Sequence, residues 1–496
     1  MKNHLSKSKL MSFLQCPRRL YLEVHRPELA EESADSQARM AAGIEVGEVA
    51  RTLRPGGVLV GQDGNLAAAL EHTHALLARA ARTPLFEATF QHDAVLVRAD
   101  LLTPNKKRWD LIEVKAAVDV KDHYYPDVAI QAFVLQGAGV ALERVVLQHI
   151  NREFVYPGGG CYHEVKKNGA VNSLFTESEV TQDVAPLLKE DVPQWIRAAR
   201  QTLRGDLPPM TDHCDDPVEC PFQGYCHKDA PEYPISCLPY IGKKRIAALQ
   251  LEGYQDIRDI PPGVLEKRQE WVRRVTVSGK PELRKGARAS LTALSYPRYY
   301  LDFETIQFAV PIWKGTRPYQ QIPFQWSCHS ESRDGRTQHQ AFLDLSGEDP
   351  RRAFAQALLE VLRTRGPIMV YSVGFEGRVV RELAQHCPDL ADDLLAIIPR
   401  FVDLLPIARE HYYHPLMAGS WSIKAVLPTI APDLDYATLD EVQDGGQAQQ
   451  AYLEAIAHDT TPERKKALKK ALLAYCGRDT EGLVLLARFL AKFSKI

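Results

Sequence analysis

The spacing of apolar residues along the chain changes several times, and each change marks an element. Residues 7–25 put Leu10, Phe13, Leu14, Leu20 and Tyr21 on one side of a helix. Helical stretches at 36–53 and at the Ala-rich 65–82 follow, the first ending near Pro55–Gly56–Gly57. Residues 85–90, 94–101 and 109–114 then read as strands, with a turn signal at Thr103–Pro104–Asn105–Lys106–Lys107. A helix over 123–135 and a strand over 144–150 complete an α/β pattern. Loops from 157 lead to a helix over 182–203, which Pro208–Pro209 stops. The charged stretch 262–295 is helical in character. The second half opens on a strand at 298–305. Further strands are expected at 323–328, 340–343 and 368–371, with helices at 351–363, after 372, and at 470–493.

At 496 residues the chain exceeds a single core, so two or three domains are expected. Apolar residues make up 45% and charged residues 25%, with a formal net charge of −2. This is an ordinary soluble composition. It excludes a globally basic footprint, so a nucleic-acid surface must be local. No apolar run reaches about eighteen residues, and no long apolar segment follows residues 1–7, so we expect a cytoplasmic chain with no membrane partner. Its nine cysteines are then expected as thiols or metal ligands rather than disulfides.

Centring the turn between residues 106 and 107 sets Asp100 opposite Glu113 in an antiparallel hairpin, and Lys115 shares the face of Glu113. Gln131, on the next helix, faces back toward the sheet. Two carboxylates side by side in an apolar sheet are costly without a cation. A divalent metal there would activate water and neutralise charge on a phosphorane, while Lys115 orients the nucleophile. A surface hairpin with ordinary charges is the plain alternative. Glu45 and Glu48, on the helix at 36–53, read as solvated glutamates. The ordered set Asp100, Ile112–Glu113–Val114–Lys115 and Gln131 resembles the PD-(D/E)xK nuclease core of the RecB family. The resemblance implies a restriction-endonuclease-like core that cleaves phosphodiesters with Mg²⁺ or Mn²⁺. The family's histidine and tyrosine positions are Gly47 and Leu135 in this chain, which leaves Glu48 or Glu87 to supply a missing ligand.

Cys214, Cys220 and Cys226 lie within thirteen residues, and Cys16 is nearly two hundred residues upstream. Read alone, Cys16 on a helix is a packing residue. One cysteine before the nuclease core and three after it resembles the RecB-like nucleases that carry an iron–sulfur cluster. The resemblance implies that these four thiolates hold a 4Fe–4S cluster and clip a long loop. The five-residue gap between Cys214 and Cys220 keeps zinc as the alternative, with His213 or His227 as a ligand. After the cluster, Cys237–Leu238–Pro239–Tyr240–Ile241–Gly242–Lys243–Lys244–Arg245 resembles half of a helix-hairpin-helix, which grips phosphates. A linker helix pair with solvated lysines reads equally well. Arg273, Arg274, Arg284, Lys285 and Arg288 extend that linker as a candidate nucleic-acid face.

In the strand Tyr299–Tyr300–Leu301–Asp302–Phe303–Glu304, Asp302 and Glu304 share one face. Glu376 follows an inner strand, and Tyr475 and Asp479 are neighbours on the last helix. This order resembles the DEDD exonucleases of the RNase H-like fold, in the tyrosine subclass (DEDDy). The resemblance implies that Asp302, Glu304 and Asp479 bind two metal ions about 4 Å apart while Tyr475 orients the attacking water. Glu376 stands where the family has aspartate, and Asp403 is the reserve candidate. An inactive scaffold of the same fold is the alternative. Residues 411–424, with Tyr412, Tyr413, Trp421 and Lys424, read either as a base-stacking, phosphate-touching loop or as a cover for the core. The second half also resembles an uncharacterised domain found fused to RecB-like nucleases in bacteria.

These readings predict an α/β protein in three parts: a nuclease domain with its cysteine cluster at 1–236, a helical linker at 237–295 and an exonuclease-like domain at 296–496. The expected activity is metal-dependent cleavage of DNA with single strands or free ends, in repair, end processing or defence against foreign DNA. An RNA 3′ exonuclease and a nucleic-acid-binding scaffold with inactive sites are the alternatives.

Overall fold

A computed structural model describes residues 5–31, 33–61, 65–362 and 365–492. The fold is mixed α/β. It divides into two compact units, the first formed by Met1–Lys228 with Gln307–Gln320 and the second by Asp229–Ile306 with Gln321–Ile496. No described helix is long and apolar enough to cross a membrane.

The first unit begins with β1 (Leu5–Ser6), α1 (Lys7–Gln15) and α2 (Pro17–His25). The single helix expected over 7–25 is thus two. Pro17 disfavours helical backbone at the residue before it, and Cys16 is extended at φ −160° and ψ 119°. Then come α3 (Ala34–Thr52), β2 (Val58–Leu59) and α4 (Leu66–Leu77). Strands β3 (Leu85–His92), β4 (Val95–Asn105) and β5 (Arg108–Lys115) lead to α5 (Tyr124–Gly137) and β6 (Leu142–Ile150). A small hairpin, β7 (His163–Val165) and β8 (Val171–Ser173), precedes β9 (Phe175–Glu179). The sheet runs β2-β3-β4-β5-β6-β9, with β1 pairing β4 in parallel. Edge strand β9, Phe-Thr-Glu-Ser-Glu, is largely polar, and its period was too weak to read. Helices α6 (Thr181–Lys189) and α7 (Asp191–Arg204) bury Val184, Val192 and Ile196, and a single turn, α8 (Gln223–Cys226), closes the unit's main stretch.

The second unit starts with α9 (Lys243–Leu251), α10 (Lys267–Ser278), β10 (Glu282–Leu283) and α11 (Ala287–Thr292). This stretch is not a free linker. Tyr233, Leu249, Trp271, Val275 and Leu291 are buried in a core shared with the C-terminal helix. Its arginines are also engaged: Arg273 pairs with Glu270 at 2.7 Å, Arg274 with Glu282 at 2.5 Å, and Arg284 lies 3.7 Å over the Trp271 ring. A mixed sheet follows, with β11 (Arg298–Ile306), β12 (Ile322–Glu331) and β13 (Thr337–Leu343) antiparallel. After α12 (Arg351–Leu362), β14 (Ile368–Val370) pairs with β11 in parallel. The expected ends of two helices, Arg363 and Phe493, fall outside the described residues. Next come α13 (Val373–His386), α14 (Ala391–Leu395), β15 (Phe401–Asp403), α15 (Leu404–His411) and β16 (Tyr412–Tyr413). The last helices are α16 (Ile423–Ile430), α17 (Gly445–Ile456) and α18 (Pro462–Ala491). The sheet order is β13-β12-β11-β14-β15.

Candidate metal and active sites

In the first unit, the β4–β5 ladder pairs Leu101 with Ile112, so the next rung faces Asp100 toward Glu113. Asp100 Oδ2 accepts the Val114 amide at 2.9 Å. Lys115 Nζ donates to Glu113 Oε1 at 2.7 Å, and Gln131 Nε2 donates to Glu113 Oε2 at 2.6 Å. Two partners have no counterpart in the sequence reading. Lys7 Nζ donates to Glu113 Oε1 at 2.8 Å and lies 3.1 Å from Asp127 Oδ1. Asp127, in the first turn of α5, also pairs with Lys115. The pairing of β1 with β4 and the Ser6 cap on the Lys9 amide put Lys7 there.

Burial opposes ionisation of Glu113, but Lys115 and Lys7 outweigh it and hold its carboxyl well below the usual range. Asp100 is pushed well above that range by burial and by the Glu113 charge. Among the acidic residues considered for the missing ligand, Glu48 is exposed and lies 3.8 Å from Arg51. Glu87 carries a left-handed φ of 55° within β3 and accepts a hydrogen bond from Arg51 Nη1 at 3.4 Å; burial raises its carboxyl, against the pull of Arg51 and Arg98. A non-glycine residue held there costs on the order of 1 kcal/mol. Gly47 lies on α3, and Leu135 is core.

Cys16, Cys214, Cys220 and Cys226 line one small cavity together with Arg18 and His213. The break before Pro17 places Cys16 at the start of α2. Burial opposes its thiolate, but the Thr211 hydroxyl and the amides of Arg19, Thr211 and Arg18 outweigh it, leaving that thiol below its ordinary value. Burial and the other three thiols push Cys214 up to about 11. Gln15 Nε2 ties α1 to the carbonyls of His213 and Val218, both at 2.7 Å. The donor set, four cysteines lining one cavity, fits a group held by four thiolates.

In the second unit, Asp302 and Glu304 project from β11 toward α18, which carries Tyr475, Cys476 and Asp479. Asp479 accepts a 2.5 Å hydrogen bond from the Tyr436 hydroxyl. Lys424 Nζ lies over the rings of Tyr475 and Tyr436 at 5.2 and 5.4 Å. Burial and the neighbouring charges of Asp479, Glu304 and Glu376 push Asp302 far above the carboxylate range. Glu304 rises to about 8 through burial and Asp479, against the pull of Lys424. Asp479 rises to about 6 through burial, moderated by Tyr436 and Lys424. Burial also lifts Glu376 to about 8, and its Oε2 is buried without a hydrogen-bond partner.

Asp403 is not a free ligand. Its carboxylate accepts the amides of Ser372, Val373 and Leu405, each at 3.0 Å, and so caps α13 and α15. Tyr412 and Tyr413 are buried, and Trp421 Nε1 donates to the Tyr412 carbonyl at 2.8 Å, so these rings cover the core and do not stack bases. Residues 299–422 match the family described as a domain of unknown function (DUF2779). The match spans a quarter of the chain. It holds Asp302, Glu304 and Glu376 and ends before Lys424, Tyr436, Tyr475 and Asp479. No curated protein matches the chain.

Carboxylates raised in this way set a pH dependence. The metal-free fold holds protons that the unfolded chain has already released, so its stability falls as pH climbs from the ordinary carboxylate range through about 8. A bound metal would expel those protons. Mn²⁺ affinity of the second unit is expected to rise between about pH 6 and pH 8, roughly tenfold per unit for each proton released. Calorimetric titration of Mn²⁺ across that range checks it, and a flat profile contradicts it.

Proposed function

We propose that the protein is a metal-dependent nuclease with two phosphodiester-cleaving sites, one in each unit. The observation that carries this reading is that Asp302, Glu304 and Asp479, from distant elements, lie close enough for Asp479 to act on both Asp302 and Glu304, with Lys424 offsetting Glu304 and Asp479. Such a nest is costly unless divalent cations fill it. The mixed sheet, with α18 laid against β11, supports an RNase H-like, DEDDy-type exonuclease domain.

Asp302, Glu304 and Asp479 would hold two divalent ions, which supply charge neutralisation and activation of water when bound. Tyr475, four residues before Asp479 on the same helix, would donate a hydrogen bond to the attacking water. Tyr436 fixes the carboxylate of Asp479. Lys424 brings a positive charge beside the developing phosphorane. Glu376, whose charge acts on Asp302 and whose Oε2 is buried with no hydrogen-bond partner among the described residues, would complete the ligand set.

The first unit supports a RecB-like PD-(D/E)xK reading. Asp100 and Glu113 would hold Mg²⁺ or Mn²⁺, Lys115 would orient the nucleophile, and Gln131 fixes the rotamer of Glu113. Cys16, Cys214, Cys220 and Cys226 would hold a 4Fe–4S cluster that ties residue 16 to residue 226. Protein purified without oxygen is expected to be brown and to contain about four iron atoms per chain. Cys220→Ser should lose that iron and the colour. Zinc in place of iron in fresh wild-type protein would overturn the cluster assignment.

The substrate is DNA with single strands or free 3′ ends, and the setting is a cytoplasmic process such as repair, end processing or defence against foreign DNA. Trimming of end-labelled single-stranded DNA and RNA in Mg²⁺ tests the reading. DNA shortened from its 3′ end supports it. Cleavage confined to RNA would make the protein an RNA 3′ exonuclease.

A further inference from the structure

Cys476 is not used by the mechanism above, yet it sits inside the second carboxylate site. Its side chain is fully buried. A buried free cysteine ordinarily packs as a small apolar group. This one points at charge: Sγ lies 3.8 Å from Asp302 Oδ2 and 3.9 Å from the Asp302 carbonyl oxygen. One oxygen each from Asp302 and Glu304 and the Cys476 sulfur all lie within 4.8 Å of one another. Cys476 also precedes Asp479 by three residues on α18, so both face β11. Independently, Glu376 Oε2 is buried, unpartnered and close enough to act on Asp302.

We propose that Asp302, Glu304 and Cys476 form a binding site that prefers a thiophilic divalent ion of the zinc class over Mg²⁺. Mg²⁺ takes oxygen ligands and keeps its waters. A thiolate beside two carboxylates instead suits a borderline-soft ion, and the ordinary order of affinities favours zinc over manganese. Zinc bonds of about 2.0–2.3 Å set tetrahedral donors about 3.3–3.8 Å apart, so the three donors, now within 4.8 Å of one another, would close in on binding. Binding breaks the Cys476 S–H bond and the O–H bonds of Asp302 and Glu304 where those carboxyls are protonated, and these protons leave to solvent. The resulting centre, Zn²⁺ with one thiolate and two carboxylates, carries a net charge of −1, which Lys424 offsets. Three protein ligands leave a fourth position open, as in catalytic zinc sites. The inference names the ion for part of the site in the proposed function and shares its ligand assignment for Asp302 and Glu304. It does not require that the site cleave nucleic acid.

The test is zinc content after equilibrium dialysis of cluster-loaded, full-length protein against Zn²⁺ in excess Mg²⁺. Wild type should retain one zinc per chain that Cys476→Ser lacks, with iron content unchanged. Equal zinc in the two proteins would overturn the proposal. Since Cys476→Ser alters a buried position and can perturb folding, zinc-edge X-ray absorption on wild type provides a second measurement. One sulfur among oxygen ligands is expected. A shell of oxygen alone, or of four sulfurs, would contradict the proposal, the latter placing zinc at the other cysteines. End-labelled DNA trimming run on the same samples separates the two readings. Zinc bound through one sulfur without trimming retains this inference and removes the nuclease, whereas trimming in Mg²⁺ by zinc-free protein with no sulfur-bound zinc does the reverse.

Discussion

Asp479→Ala is expected to abolish 3′-end trimming while leaving cleavage by the first unit intact. Asp479 is buried on α18, and its carboxylate is one of the three that would hold the divalent ions. A lost metal ligand forfeits several kcal/mol of transition-state stabilisation. At about 1.4 kcal/mol per factor of ten, that is a loss of roughly a thousandfold or more. The alanine variant also strands the Tyr436 hydroxyl, a cost of about 1–3 kcal/mol in stability. Asp479→Asn separates the two effects. It keeps an acceptor for Tyr436 and removes the charge, so trimming should still fall by about the same factor while the melting temperature holds. Time courses on 5′-labelled single strands, read beside thermal melts, check both. Undiminished trimming by Asp479→Asn would remove Asp479 from the site.

In the first unit the largest expected effect is at Asp100 and Glu113, and the two residues should fail differently. Asp100→Asn retains an oxygen for the Val114 amide. It should therefore fold normally and lose cleavage by roughly a thousandfold. Glu113→Ala removes the carboxylate between two ammonium groups, leaving Lys7 and Lys115 to share Asp127. Breaking a buried pair from one side costs about 3–5 kcal/mol. Glu113→Ala should thus lose both activity and stability, and Lys7→Met in that background should restore part of the stability without the activity. Denaturant unfolding and cleavage of internally labelled DNA read the two outcomes. Equal stability of Glu113→Ala and wild type would contradict the buried network.

Local periodicity made the strongest features legible. An alternating hairpin with a clear turn put Asp100 opposite Glu113 and Lys115 on the same side, and the strand and last helix gave Asp302, Glu304, Tyr475 and Asp479. What escaped the sequence depends on contacts between distant segments. Lys7 reaches Glu113 only because a two-residue strand pairs with β4 some ninety positions later. Asp127 looked like any acidic residue in a first helical turn. Tyr436 and Lys424 lie in short, irregular segments whose approach to α18 leaves no periodic trace. The charged stretch at 262–295 read as a linker because of its many charged residues, whereas its helix α10 packs through Trp271, Val272 and Val275. Trp421 read equally well as base-stacking or as core, and its indole hydrogen bond to Tyr412 shows the latter.

The central claim is that buried carboxylates in both units serve metal-dependent phosphodiester cleavage. The most direct measurement compares wild type with the double variant Asp100→Ala/Asp302→Ala on end-labelled single-stranded DNA and RNA, with Mg²⁺ or Mn²⁺ and with chelator. Wild type should shorten the labelled strand only when metal is present, and the double variant should leave it intact at every time point. Identical behaviour of the two proteins would contradict the claim and leave a nucleic-acid-binding scaffold in its place.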